Sequence, residues 1–363
     1  MLSPNQSKFL YLLLAFVLTI AACISVSPEL SSPQPIATLP VSATALQEDW
    51  YTVLFTDPDS PNADTLRGGP DASLAAAINN ARISVDIAIY DLNLWSIRDA
   101  LIRAHQRGVI VRVVTESDNL DEPEIQDLID AGVPVLGDRR EGLMHNKFVI
   151  IDRMEVWTGS MNFTMNGAYH NDNNLIRIRS TRLAQDYTSE FEEMFVADQF
   201  GASSPTNTPY PLITVDGTQI EVYFSPEDDT VDHLLDVILN AQESIYFLAF
   251  SFTSDDLSTA LIEQAQHGVL VAGVMEESQY NFNIGTEYDR FLQAGLDVRL
   301  DGNPQNMHHK VFIIDGQIVV TGSYNFSASA EDRNDENTLI IHNHDIAAAY
   351  LAEFYRVFTL AKK

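Results

Sequence analysis

Two stretches of the chain repeat each other without a gap. Met144–Phe163 reads MHNKFVIIDRMEVWTGSMNF and Met307–Phe326 reads MHHKVFIIDGQIVVTGSYNF, at a constant offset of 163 residues. His, Lys, Asp, Gly, Ser and Asn recur at the same places, as do the flanking Met, Ile-Ile, Val, Thr and Phe. The surroundings repeat too. SVDIAIYDL reads as a strand, LWSIRDALIRAHQRG as an amphipathic helix closed by Gly108, and VIVRVVTES as the next strand. The later half gives SIYFLAFSF, then DDLSTALIEQAQHG closed by Gly268, then VLVAGVMEES. Alternating strands and helices, met twice, predict an α/β chain of two similar domains, each a mixed sheet flanked by helices. The Pro- and Thr-rich run ASSPTNTPYPLITVDG marks the boundary between them.

The chain has 363 residues, 45% hydrophobic and 20% charged, which suffices for real cores and excludes a disordered or fibrous protein. Its formal net charge of -30 argues against a general nucleic-acid coat or a basic membrane-surface binder. The single cysteine, Cys23, excludes an internal disulfide and a cysteine-based zinc site. Phe9 to Ala22 is an apolar run of signal-peptide length, and Ile20-Ala21-Ala22-Cys23 resembles the lipobox of bacterial lipoproteins. Residues 24–49 are rich in Pro, Ser, Thr and Ala and read as a tether. The expected organisation is therefore a signal peptide over 1–23, the tether over 24–49, domain 1 over 50–203, a linker over 204–217 and domain 2 over 218–363. The expected location is extracytoplasmic, held at a membrane through lipid on Cys23; a secreted protein is the alternative.

Side chains two apart on a strand share a face. His145 and Lys147 therefore point the same way, as do His308 and Lys310, and after a turn Ser160 pairs with Asn162 and Ser323 with Asn325. Packed with pseudo-two-fold symmetry, the halves bring two imidazoles, two ammoniums and several neutral donors into one cleft. That set suits phosphodiester cleavage: one His attacks phosphorus, the other protonates the leaving oxygen, and the lysines and amides stabilise the phosphoryl oxygens. Neither a metal nor another cofactor is required. Asp152 and Asp315 read as caps of the turn between strands. His105, His170, His233, His267 and His309 read as ordinary structural or surface groups, with His309 facing away from His308.

Both copies fit H-x-K-x4-D-x6-G-S-x-N, and on that motif the chain resembles the phospholipase D superfamily from about residue 50 to 360. The resemblance implies two phospholipase D-like α/β domains sharing one active site, and a two-step reaction through a phosphohistidine. It carries catalytic roles to His145, Lys147, Asn162, His308, Lys310 and Asn325, and supporting ones to Asp152, Asp315, Ser160 and Ser323. An acidic residue often follows in an N-x-E-N run. The second half has it as Asn334-Asp335-Glu336-Asn337, whereas the first half reads Asn171-Asp172-Asn173-Asn174, so Asn173 replaces the carboxylate. If each His pairs within its own half, Glu336 meets His308, which becomes the acid, and His145 the nucleophile; a crossed pairing swaps the roles.

Phospholipid is the expected substrate, because the tether keeps the site near lipid and no basic stripe is visible. Trp50 to Pro205 holds 13 Lys+Arg against 24 Asp+Glu, and the chain from Thr206 onward 7 against 24. Arg139 and Arg140 are the one basic pair near the motif. Nucleic acid stays open as a partner but is disfavoured by charge. An extracytoplasmic nuclease, a phosphatidyltransferase and a degenerate binding protein are the alternatives, in that order. With both motif copies in one chain a monomer is expected. Cys23→Ser is expected to leave uncleaved precursor or to release soluble protein; processing and membrane fractionation unchanged from wild type would contradict the anchor.

Overall fold

The computed structural model describes residues 45–362. The signal-type segment 1–23, Cys23 and most of the tether lie outside the described residues. Among the described residues no helix is long and apolar enough to cross a membrane.

The first sheet contains β1 (Ala45–Gln47), β2 (Tyr51–Phe55), β3 (Ser84–Ile89), β4 (Ile110–Thr115), β5 (Val135–Gly137), β6 (Lys147–Ile151), β7 (Glu155–Gly159) and β8 (Asn174–Arg179). The second contains β9 (Leu212–Val215), β10 (Thr218–Ser225), β11 (Ser244–Ala249), β12 (Leu270–Met275), β13 (Asp297–Leu300), β14 (Lys310–Ile314), β15 (Ile318–Gly322) and β16 (Glu336–His342). Their orders, β1-β2-β8-β7-β6-β3-β4-β5 and β13-β12-β11-β14-β15-β16-β10-β9, are the same arrangement read from opposite ends. β3, β4 and β5 run parallel, as do β11, β12 and β13, and every other pairing is antiparallel. These are the expected mixed sheets. Two boundaries differ from the sequence reading. Ala45–Gln47 of the tether adds a strand to β2, and Leu212–Val215 of the linker adds one to β10. Both satisfy the open backbone of an edge strand, a demand that composition does not reveal.

Helices Thr181–Phe195 and His344–Leu360 share one core with the facing sides of both sheets, through Tyr187, Phe191, Tyr350 and Phe354 against Phe148, Ile150, Val311 and Ile313. Separate outer cores hold the remaining helices against Val149 and Ile151 on one sheet and Phe312 and Ile314 on the other. Strand alternation thus sets Asn146 and His309 toward the shared core. It leaves His145, Lys147, His308 and Lys310 on the opposite strand faces. Gly108 and Gly268, at φ 90° and 96°, end corresponding helices as expected.

Asp152 and Asp315 stand in the β6–β7 and β14–β15 turns at φ 52°. Their carboxylates do not cap those turns. Asp152 accepts from the backbone N–H groups of Arg82, Ile83 and Ser84 at 2.7–3.1 Å, and Asp315 from those of Gln242, Glu243 and Ser244 at 2.7–2.8 Å. Each aspartate ties the hairpin to the start of the neighbouring strand, and neither reaches the site. Asp152→Ala is therefore expected to cost about 1–2 kcal/mol of stability, read as a lower urea midpoint, with turnover of the folded protein unchanged. A large loss of turnover at full stability would contradict this structural role.

Candidate active site

Two short cross-links join the halves. Met144 and Asp335 form an isolated parallel bridge, as do Asp172 and Met307. His145 N–H donates to Asp335 O at 3.0 Å, and His308 N–H to Asp172 O at 2.9 Å. Each motif histidine is thereby placed beside the acidic-run segment of the other half. The pairing is crossed. His145 Nδ1 lies 2.8 Å from both carboxylate oxygens of Glu336. His308 Nδ1 faces Ser160 O at 3.0 Å and Asn173 Oδ1 at 3.1 Å. The expectation that Glu336 would meet His308 is thus overturned, because the backbone bridges between the halves set Asp335 beside His145, which brings the next residue, Glu336, to its ring.

His308 Nδ1 faces two carbonyl oxygens and so carries its proton there, which leaves Nε2 as the lone pair. The Asn173 carboxamide is fixed in this orientation by its own partners. Its Nδ2 donates to Gly167 O at 2.9 Å, and its Oδ1 also accepts from Ser160 Oγ at 2.8 Å. Ser160 and Ser323 act within the framework, taking the backbone N–H of Asn174 at 3.1 Å and of Asn337 at 3.0 Å. The motif glycines admit no side chain. A Cβ on Gly159 would lie 2.4 Å from Asn174 O, and one on Gly322 2.1 Å from Asn337 O. Asn162 and Asn325 keep buried carboxamide oxygens that find no partner among the described residues.

Both lysines are buried, Lys147 at 0% and Lys310 at 1% exposure. Lys147 Nζ donates to His145 O at 2.6 Å, and Lys310 Nζ donates to His308 O at 2.9 Å while standing 3.3 Å from His308 Nε2. Burial pushes the Lys147 ammonium down to about 7, against the opposing pull of Glu336 and Asp91. Burial, then Lys147, holds Lys310 well below the ordinary lysine value. Burial and the two lysines likewise depress both histidines. Burial also raises Glu336 to about 8, with Lys147 and Lys310 opposing it. The cleft thus gathers four groups whose charged forms burial and mutual repulsion disfavour, a repulsion that a bound anion would relieve.

Several residues here were missed on the sequence. Tyr90 meets the His145 ring edge-on at 5.0 Å, and Phe250 meets His308 at 4.5 Å. Glu116 and Glu276 accept the backbone N–H of Met144 at 3.0 Å and of Met307 at 2.7 Å, anchoring each motif strand one residue before its histidine. Their signal was their repeated position after corresponding strands. His309 turns away from His308, as strand alternation predicts, toward Asn174 and Glu353.

A family model described as "Cardiolipin synthase, PLD-like domain" matches residues 74–195 and 234–358, once in each half. The chain belongs to the phospholipase D superfamily. Phospholipase D of Rickettsia prowazekii (strain Madrid E) is 30% identical over 168 residues, 46% of this chain and 82% of that protein. Mitochondrial cardiolipin hydrolase of Chlamydomonas reinhardtii is 30% identical over 139 residues, 38% of this chain and 62% of that protein. Phosphatidylserine synthase of Haemophilus influenzae Rd KW20 shares the fold, with a TM-score of 0.66 over 88% of each chain at 15% identity.

The phospholipase D-type site has a linkage signature. Glu336 rises from 4.5 to about 8 on folding, so its contribution to stability is full below pH 4.5 and is lost as pH rises through 8. Lys147 falls from 10.5 to about 7, so its contribution is full above pH 10.5 and is lost as pH falls through 7. Glu336→Gln should flatten the first slope and Lys147→Met the second, measured as urea midpoint against pH. Slopes identical to wild type in both variants would contradict this electrostatic account.

Proposed function

We propose that this phospholipase D-type phosphodiester hydrolase cleaves phospholipid head groups through a phosphohistidine on His145, with no metal in the chemical step. The observation that carries the reading is the buried meeting of two imidazoles and two ammoniums, with both Nδ1 atoms turned to carboxyl or carbonyl oxygens and Lys310 Nζ beside His308 Nε2.

A carboxylate at Nδ1 favours an imidazolium, and on that rule alone the crossed pairing makes His145 the acid. The covalent intermediate supplies the stronger consideration. When Nε2 bonds to phosphorus the ring becomes cationic in a buried site, and the Glu336 carboxyl against Nδ1–H, drawn toward its ionised form by that charge and by Lys147 and Lys310, neutralises it. His308 has only neutral carbonyl partners and holds an Nε2 proton less tightly, so it yields that proton more readily. The bound phosphodiester anion favours protonation of His308 and of both lysines. His145 Nε2 attacks phosphorus, the P–O bond to the head-group alcohol breaks, and His308 Nε2–H protonates the departing oxygen. Water then gives a proton to His308 and attacks phosphorus, the N–P bond breaks, and phosphatidate leaves with His145 restored. Lys147, Lys310 and the carboxamides of Asn162 and Asn325 stabilise the phosphoryl oxygens.

Lipid is preferred to nucleic acid because the basic pair beside the motif is already engaged. Arg139 and Arg140 both pair with Asp198, and Arg140 lies over the Phe200 ring at 5.1 Å. The lipid anchor on Cys23 would hold the site at its substrate.

His145→Ala and His308→Ala are each expected to lose at least about a thousandfold in turnover. Wild type should release head groups from phosphatidylcholine, phosphatidylethanolamine or cardiolipin in EDTA, well below its melting temperature. Rapid quench and peptide mass spectrometry should find the phosphoryl label on His145. Cleavage of single-stranded DNA without any lipid would overturn the substrate; label on His308 alone would overturn the roles.

A further inference from the structure

The pseudo-two-fold is broken behind the motif strands. Glu190 and Glu353 occupy equivalent places, 163 residues apart, on the two shared helices. Each binds the middle residue of a motif: Asn146 Nδ2 donates to Glu190 Oε1 at 2.9 Å, and His309 Nε2 meets Glu353 Oε1 at 3.1 Å. One helical turn further on, the equivalence fails. Position 356 is arginine and position 193 is glutamate.

Arg356 fills the second-half pocket. Its guanidinium binds Glu353 at 2.7 and 2.9 Å and also Asp172, with Asp59, from the loop after β2, at 3.7 Å. The first-half pocket repeats the acids without the arginine. Glu190 matches Glu353, and Asp335 matches Asp172. Glu227 comes from the loop after β10, as Asp59 comes from the loop after β2. Glu193 stands where the arginine would be. Oxygens of Glu190, Glu193 and Glu227 all lie within 4.8 Å of one another. Glu193 is 5% exposed; its Oε2 takes the Asn207 amide at 2.9 Å, while its Oε1 is buried and unpartnered among the described residues. Glu227 Oε2 is also buried and unpartnered. No Lys, Arg or His forms an ion pair with the three among the described residues.

We propose that Glu190, Glu193 and Glu227 bind one hard divalent cation, for which Ca²⁺ is the probe, and that it supplies to the first half the charge Arg356 supplies to the second. The all-oxygen donor set suits calcium or magnesium rather than zinc. Oxygens about 2.4 Å from a shared ion lie at most about 4.8 Å apart, and these three satisfy that limit. The site lies on the Asn146 side of the strand, opposite His145 and Lys147. The cation is therefore structural and takes no part in phosphoryl transfer.

The test uses the full chain, detergent-solubilised and stripped with EDTA. Calorimetric titration should give one Ca²⁺ per chain, and Ca²⁺ should raise the melting temperature by several degrees. Turnover of a soluble phosphodiester well below melting should not change. Glu193→Gln should weaken Ca²⁺ binding at least tenfold. Glu193→Arg should abolish it and melt in EDTA no lower than Ca²⁺-loaded wild type; if that variant does not fold, Glu193→Gln decides. Binding undiminished in Glu193→Gln would overturn the site. So would a melting temperature that ignores Ca²⁺ and EDTA but rises on acidification, because the three carboxylates would then be sharing protons.

Discussion

Four backbone hydrogen bonds between the halves govern the molecule. Asp335 N–H to Leu143 O and His145 N–H to Asp335 O bind one motif; Asp172 N–H to Asn306 O and His308 N–H to Asp172 O bind the other. They convert two half-sites into one. Because the residue after each bridging aspartate faces the neighbouring histidine, they also dictate that Glu336 serves His145 and Asn173 serves His308. The polar network beneath follows the same crossing. Asn337 Nδ2 reaches Asn146 Oδ1 at 2.8 Å while its Oδ1 takes Thr158 and Tyr187, and Asn174 does the same with His309, Thr321 and Tyr350. Buried polar groups matched across an interface make other registers costly, since a slip would strand several of them.

Within that frame the protein holds two lysines almost wholly out of water. Each finds the carbonyl of its own motif histidine and the face of an aromatic ring, Tyr90 for Lys147 at 5.2 Å and Phe250 for Lys310 at 4.7 Å. Neither has a direct carboxylate partner among the described residues. Two ammoniums held out of water without a carboxylate destabilise the fold locally, a cost that an arriving anion would relieve. The large apolar cores on both sides of each sheet offset that local cost.

Duplication gave the chain its architecture, and departures from it give the site its chemistry. Two identical half-sites would hold two histidines of equal character. Asn173 against Glu336 breaks that equality, giving His145 a carboxyl partner and His308 two carbonyl oxygens. Asn146 against His309 and Glu193 against Arg356 carry the asymmetry into the layer behind, where the second half balances its acids with its own guanidinium.

Most of the fold was legible in the sequence because its signals are local. Strand period, helix period and closing glycines at 108 and 268 act over a few residues, and the repeat supplied each of them twice. The grouping of His145 with Lys147 and of His308 with Lys310 was legible for the same reason: period two is a property of any strand. The short edge strands at 45–47 and 212–215 were not, since an edge recruits whatever backbone lies near it. Nor were the targets of Asp152 and Asp315, which bind N–H groups about 70 residues earlier in the chain. The pairing of His145 with Glu336 was least legible of all. It spans 191 residues and depends on which strand end meets which across the pseudo-two-fold. The sequence alone determined two α/β halves and the chemical groups they bring. Only the tertiary structure decided which histidine receives the carboxylate, because that choice is made by backbone bridges between halves, and their register is written in no single segment.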